Sequence, residues 1–317
     1  MTHDLSKQQV MAGVIGHAIG DALGVPVEFQ RREALQNHPI MGMEGFGTHN
    51  VPAGTWSDDT SMELCLMQSL IDQKKVDLSD IMDNFVRWAR EDAFTATGRC
   101  FDIGGTCSMA ISNYEWNQNP LECGQGDEYS NGNGSLMRIL PVAFLCYKYE
   151  LATKQTYNLV RDISALTHAH EVSVLGCYIY TKFVEHLLSG DSKEVAYEKV
   201  RHGDYSMFSR ESLLKYRRIL VDNITECAED DISSSGYVLH SLEAALWSLL
   251  TTENYREAVL TAVNLGNDTD TVGAITGSMA GICYGYDSIP TEWIKKLQRH
   301  DYLEKICEEF ADAQIDI

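Results

Sequence analysis

No lysine or arginine lies between Thr48 and Ile71, or between Glu257 and Ile294. Basic residues are scarce overall. The 25 Lys and Arg against 46 Asp and Glu give a formal charge of −21, which argues against nonspecific binding to nucleic-acid phosphates or to an anionic membrane surface. The nine cysteines contain no CxxC pair. Their odd number, inside mostly apolar segments, reads as reduced core thiols of a cytoplasmic protein rather than as a disulfide or zinc framework. Uninterrupted apolar runs of about eighteen residues are missing, and the polar stretch from Met1 to Gln9 has no apolar signal core, so neither a membrane span nor a secretory leader is expected. With only 6 prolines, no low-complexity linker and no tandem repeat of fixed period, residues 1–317 are expected to form a single domain with a large core.

What the chain does contain is helical periodicity. Ile81, Met82, Phe85, Val86 and Ala89 fall on one helix face, as do Leu175, Tyr178, Ile179, Phe183 and Leu187, and later Leu239, Leu242, Leu246, Leu249 and Leu250. Sustained strand alternation is absent, so the expected fold is all-α: one compact, irregular, mainly antiparallel helical domain. Loops are expected at His38 to Thr55, Asn113 to Gly134 and Glu229 to Gly236.

Both stretches without basic residues carry an acidic cluster, Ser57-Asp58-Asp59-Thr60 and Asp268-Thr269-Asp270-Thr271, each opening into an apolar helical segment. Taken singly, such a cluster reads first as a helix cap, because Ser, Thr and Asp satisfy the free amides of a first turn. Taken together, four carboxylates without nearby cations repel one another severely if they share a partly desolvated site, and bound divalent cations are the usual remedy. Carboxylate and hydroxyl oxygens select hard ions such as Mg2+, Mn2+ or Ca2+ over zinc or copper. An EF-hand is excluded, since the position of the bidentate acid is occupied by Met279.

Two glycine stripes suggest how the clusters meet. Gly16, Gly20 and Gly24 recur every fourth residue in an apolar segment near the N-terminus, and Gly273, Gly277, Gly281 and Gly285 do so just after the second cluster. Glycine costs roughly 0.5 to 1 kcal/mol relative to alanine inside a helix, so close approach of two helix backbones is the expected compensation. A membrane dimer motif is the competing explanation, but the apolar stretch after Thr271 is too short to span a bilayer.

Gly20-Asp21-Ala22-Leu23-Gly24 with Glu28, Trp56-Ser57-Asp58-Asp59-Thr60, Gly132-Asn133-Gly134-Ser135-Leu136-Met137-Arg138, Thr167-His168 and Gly266-Asn267-Asp268-Thr269-Asp270-Thr271 together resemble the ADP-ribosylglycohydrolase family. The motifs follow the family's order from about Val10 to Tyr286. The resemblance implies an all-α fold with two divalent cations, Mg2+ or Mn2+, at the base of an ADP-ribose cleft, and removal of ADP-ribose from a modified acceptor. It implies Ser57, Asp58, Asp59, Asp268, Asp270 and Thr271 as metal ligands, Glu28, Asp59 and Asp102 as catalytic groups, and Asn133, Gly134, Ser135, His168 and Tyr237 as substrate contacts. Ser57 replaces the threonine of many members, and either hydroxyl can ligate a hard ion.

The implied partners are an ADP-ribosylated protein, most readily one modified on arginine, and ADP-ribose itself. Serine, a nucleobase or O-acetyl-ADP-ribose remain alternative acceptors, a membrane is not expected, and nucleic acid enters only as a modified substrate. The implied chemistry is metal-assisted cleavage of the glycosidic bond at the ribose C1''. Two other classes compete. A noncatalytic ADP-ribose binder would tolerate loss of the metal carboxylates, and a metal-dependent phosphohydrolase would need an arginine or lysine for the transferring phosphate, for which Arg138 is the one basic residue inside a motif. The plainer readings are a surface acid for Glu28, a helix N-cap for Asp102, a core histidine for His168 and an internal salt bridge for Arg138.

Overall fold

The structure, a computed structural model, describes residues 3–317. Sixteen α-helices follow one another with no strand among the described residues: α1 (Lys7–Gly24), α2 (Arg32–Asn37), α3 (Asp58–Gln73), α4 (Leu78–Glu91), α5 (Gly105–Asn117), α6 (Leu140–Lys148), α7 (Thr153–Ala165), α8 (Glu171–Leu188), α9 (Lys193–Arg201), α10 (Arg210–Lys215), α11 (Arg217–Leu220), α12 (Val238–Leu250), α13 (Tyr255–Asn264), α14 (Thr269–Tyr284), α15 (Thr291–Ile294) and α16 (His300–Asp312). The apolar stripes read from the sequence lie on α4, α8 and α12 and face the core. The second expected loop begins later than anticipated. Helix α5 continues through Asn113 to Asn117 because Ala110, Ile111 and Tyr114 give it an apolar face to bury despite its polar neighbours.

Helices α1 and α14 cross at the centre, and both are buried on nearly every side. The glycine stripes interlock. A methyl group added at Gly16 would fall on the Gly277 carbonyl, one at Gly20 on the Gly273 carbonyl, and one at Gly281 on the Ala12 carbonyl. The reciprocal additions at Gly273 and Gly277 meet the carbonyls of Gly20 and Gly16. Two backbones therefore touch where side chains would ordinarily hold helices 8–10 Å apart. At one end of the crossing the Thr269 hydroxyl donates to the Gly24 carbonyl at 2.8 Å, and near its middle the Tyr255 hydroxyl on α13 donates to the Gly16 carbonyl at 2.8 Å.

By length and composition the segment Lys7–Val27 could cross a bilayer, although no uninterrupted apolar run of that length was expected. Its apolar window is 94% buried inside the protein, which makes it a core helix here. It begins with a capping box between Ser6 and Gln9 and ends in the short Val25–Val27 turn that delivers Glu28.

Candidate functional site

The crossing brings the C-terminal end of α1 against the N-terminal end of α14, and α3 enters the same space. Ser57 caps α3, its hydroxyl accepting from the Asp59 amide at 3.3 Å and donating to Asp59 Oδ2 at 3.0 Å. From the other cluster, the Thr271 hydroxyl donates to the same Asp59 oxygen at 3.4 Å. Asp268 stands at the N-cap position of α14 but does not cap it. Its Oδ2 instead accepts from Asn133 Nδ2 at 2.6 Å.

The carboxylates gather in overlapping triplets. Oxygens of Asp21, Asp59 and Asp270 lie within 4.8 Å of one another, as do those of Glu28, Asp268 and Asp270, and the Glu28, His49 and Asp102 ligand atoms form a third group. Asp58 stands apart from these triplets, on the cavity wall. Burial pushes Asp59 well above the carboxylate range, and Asp21 and Asp58 push it further. Asp270 is raised by burial and then by Glu28 and Asp59, and Asp58 by burial and then by Asp102. Asp268 rises by burial too, opposed by its hydrogen bond from Asn133. Asp59 Oδ1 and Asp270 Oδ2 are buried without any hydrogen-bond partner. Buried acids that repel one another, with oxygens left unsatisfied, are what a hard-cation site looks like without its charge.

Glu28 is 4% exposed, which disposes of the surface-acid alternative. Burial raises its carboxyl to about 7, against the opposing pull of a short hydrogen bond to His49 Nε2, and Asp102 and Asp268 add to the rise. His49 is raised in turn by that bond. Nothing in the local sequence pointed to His49; it arrives from the loop between α2 and α3. Asp102 is half-buried with a left-handed backbone (φ 51°), and it is not a helix cap, since Gly104 holds that position.

These groups line a cavity of about 270 Å³ formed by Glu28, Phe29, Asp58, Asp102, residues 104–107, 132–134, Met137, His168, Gly236, Asp268 and Thr271. No lysine or arginine lines it. Asn133 is buried, fixed by its Asp268 contact, by Ser241 at 2.9 Å and by its own amide on the Gly236 carbonyl at 3.0 Å. Gly134 packs so tightly that an added methyl would meet Cys107 Sγ at 2.7 Å and His168 Cε1 at 2.9 Å. Ser135 spends its hydroxyl inward on Ser164 (2.9 Å) and Cys177. Among the described residues, the amides of Gly134 and Ser135 take no protein acceptor.

His168 is both a core group and a cavity wall. It is neutral, lowered to about 3 by burial and by Arg138, with Nδ1 against the Thr167 hydroxyl at 2.8 Å. Tyr237 lies beside rather than on the cavity, half-buried with its ring edge-on to His240 at 5.1 Å. Arg138 makes no salt bridge. It is fully buried, donating to the carbonyls of Gly134 and Ile163 and to Thr167 Oγ1, with Phe85 under its guanidinium, so it braces the Asn133 loop.

Asp21 was quoted in the first motif without a role. Its carboxylate takes the Ser57 amide at 2.9 Å on both oxygens, the Thr60 amide at 3.2 Å and the Thr60 hydroxyl at 2.6 Å. Helix α1 thus caps α3 from across the core, and the available signal was an acid inside an apolar, glycine-faced helix. Burial lifts Asp21 to about 6 against these bonds. One turn away on each helix, His17 and Glu63 face each other at 3.2 Å as two neutral groups, because burial takes His17 down to about 3 and Glu63 well up.

The model of the family described as ADP-ribosylglycohydrolase matches residues 2–316, essentially the whole chain whose acids and loops have just been placed. The chain belongs to the ADP-ribosylglycohydrolase family. It is accordingly an ADP-ribosyl glycohydrolase, a hydrolase of all-α fold. It is 34% identical over 307 residues to a protein of Serratia proteamaculans (strain 568) named ADP-ribosylarginine hydrolase Tri1, covering 96% of this chain and 79% of that one. It is 28% identical over 305 residues to ADP-ribosyl-[dinitrogen reductase] glycohydrolase of Rhodospirillum rubrum, covering 94% and 92%. A solved structure titled ADP-ribosylglycohydrolase-related protein complex superposes with a TM-score of 0.81 at 30% identity, covering 98% of this chain and 99% of that one.

Proposed function

We propose that this family member removes ADP-ribose from arginine side chains of modified proteins, hydrolysing the bond at the ribose C1'' with two divalent cations, Mg2+ or Mn2+, bound among Ser57, Asp58, Asp59, Asp268, Asp270 and Thr271. The observation that carries the metal requirement is the pair of orphaned buried oxygens, Asp59 Oδ1 and Asp270 Oδ2, inside a cluster of mutually repelling acids. Bound cations supply the neutralising charge and a firm hold on the ribose hydroxyls. The arginine assignment draws support from the Serratia relative's name and from a cavity whose charged groups are all acidic, which suits a cationic acceptor.

The remaining roles belong to the protein. Glu28, its carboxyl raised to about 7 by burial against the opposing hydrogen bond with His49, takes a proton from the attacking water or returns one to the leaving group. Asp102, at the rim, is suited to stabilising positive charge as it develops on the sugar. Asp59 links the two clusters and assists from below. The free amide of Gly134 suits a diphosphate, with Ser135 buried behind it, Asn133 and His168 shape that wall, and Tyr237 borders it. The whole chain acts as one domain. Nine free thiols accord with a cytoplasmic enzyme. A phosphohydrolase is disfavoured because no arginine or lysine reaches the cavity.

The test is release of ADP-ribose from arginine-, serine- and nucleic-acid-linked substrates with Mg2+ or Mn2+. Cleavage of the arginine linkage, abolished by chelator, is expected. Full activity in excess chelator, or cleavage confined to another linkage, would refute the corresponding half of the proposal.

A further inference from the structure

Beside Glu28 stand three aromatic rings, of which Phe29 lines the cavity and has no part in the hydrolytic chemistry. Phe29 lines the cavity with 65% of its surface exposed, an unusual place for a large apolar ring. Its backbone is left-handed (φ 64°), a conformation that bulky residues rarely adopt, and it is held there by its own amide donating to the Asn267 carbonyl at 2.6 Å and by Asn267 donating back to Gln30 at 2.7 Å. The ring is therefore presented on a fixed stalk. The His49 ring packs 6.2 Å from Phe29 and 5.2 Å from Phe101, tilted by 58° and 49°, so these rings back Phe29 rather than extend its face. The residues next to the two phenylalanines are Glu28 and Asp102, whose carboxylates meet His49 in one group.

An aromatic face flanked by carboxylates, in a cavity lined by no basic side chain, is complementary to one kind of group: a planar, weakly hydrated cation that can stack and still present N–H donors at its edge. A diphosphate is not that group, since Glu28 and Asp102 would repel it, whereas the amide of Gly134 on another part of the wall would donate to it. We propose that Phe29, backed by His49 and Phe101, is the acceptor subsite, a stacking platform for the guanidinium of the modified arginine, with Glu28 and Asp102 at its edge. This rests on the arginine reading above and adds the residue that selects the acceptor over a neutral one such as serine.

The experiment compares wild type with Phe29→Asn, which removes the ring while tolerating the left-handed backbone, and Phe29→Tyr, which keeps the ring face. KM and kcat are measured on ADP-ribosylarginine, and ADP-ribose affinity is measured by calorimetry with Mg2+. Phe29→Asn is expected to raise KM roughly ten-fold, the scale of a partly desolvated cation–π contact, while ADP-ribose affinity stays within two-fold and Phe29→Tyr remains close to wild type. A parallel loss of ADP-ribose affinity would place the ring on the other half of the substrate and overturn the subsite. An unchanged KM in Phe29→Asn would overturn it as well. If wild type leaves ADP-ribosylarginine intact but cleaves another linkage, the arginine reading itself falls and the subsite falls with it.

Discussion

Replacing Gly277 with alanine tests the construction of the whole site with a single methyl group. Helix propensity alone predicts a gain of about 1 kcal/mol, because glycine is the poorer helix former. The structure predicts the opposite. The added carbon would land on the Gly16 carbonyl and lie 3.0 Å from its carbon and 3.4 Å from Gly20 Cα. These neighbours are backbone atoms of a buried helix, with no side chain to rotate away, so overpacking falls at the upper end of its usual range, about 3 kcal/mol. Subtracting the propensity gain leaves a net loss of about 2 kcal/mol. Unfolding entropy of roughly 2.1 cal/mol/K per residue converts this, over 317 residues, to a drop in Tm of about 3 °C. Gly105→Ala is the control, since an added methyl there meets nothing within 4 Å and should leave Tm unchanged or slightly raised. Calorimetric unfolding of the metal-free proteins, with Mn2+ titrations alongside, measures the consequence. Metal affinity should weaken in Gly277→Ala, because parting α1 from α14 carries Asp21, and with it the α3 cluster whose amides Asp21 holds, away from the cluster that opens α14. A Gly277→Ala protein as stable as wild type would refute the account of the crossing.

Asp21→Asn removes the cap that α1 supplies to α3 and also one negative charge from the cluster. These two effects oppose each other in metal-free stability, which should change little, but both weaken cation binding, so a loss of at least about ten-fold in Mn2+ affinity is expected by titration; unchanged affinity would show that the cap is dispensable. The pH dependence of the metal-free protein follows from the raised acids. Glu28 and Glu243 both rise from 4.5 to about 7 by burial, so the folded state binds more protons than the unfolded state, and stability should fall as pH rises from about 4.5 to about 7. Buried neutral His17 and His168 oppose this below pH 6.5, where unfolding lets them charge, so the decline should be clearest just above 6.5 in denaturation midpoints, and saturating metal should abolish the cluster's share of it. Asp102→Asn should lower kcat by about 10² while leaving ADP-ribose affinity within a few-fold, and Tyr237→Ala should raise KM more than it lowers kcat; normal turnover in Asp102→Asn would transfer its duty to Glu28.

The sequence carried the features that repeat or cluster locally. Glycines at every fourth position announced a backbone contact between α1 and α14, and the acid clusters that open α3 and α14 meet beside it. Helix faces of α4, α8 and α12 were readable because burial imposes their period. What stayed hidden depends on partners distant in the chain. Asp21 looks like any acid in an apolar helix until α3 presents its amides, and His49 gains meaning only beside Glu28 and Phe101. A salt bridge was the plainer reading of Arg138, yet carbonyl oxygens from Gly134 and Ile163 take its terminal nitrogens while Nε has no partner, and carbonyls leave no mark in a sequence. Asp102 looked like a cap, but two glycines delay the start of α5.

The glycine crossing also sets the order in which the protein can come into being. Helix α1 ends at Gly24 and its partner α14 begins at Thr269, so about 245 residues must be synthesised before the two can meet. At roughly 5–20 residues per second, a helix long and apolar enough to cross a bilayer waits on the order of 12–50 s for the surface that fits its bare face, a long exposure for a segment that composition alone cannot distinguish from a membrane span. Contacts this distant form late in folding, because loop closure must come first. A chain cut short between α3 and Asp268 holds one acid cluster and an uncovered α1 without the second cluster, which makes it a substrate for chaperones and proteases rather than a partly active enzyme.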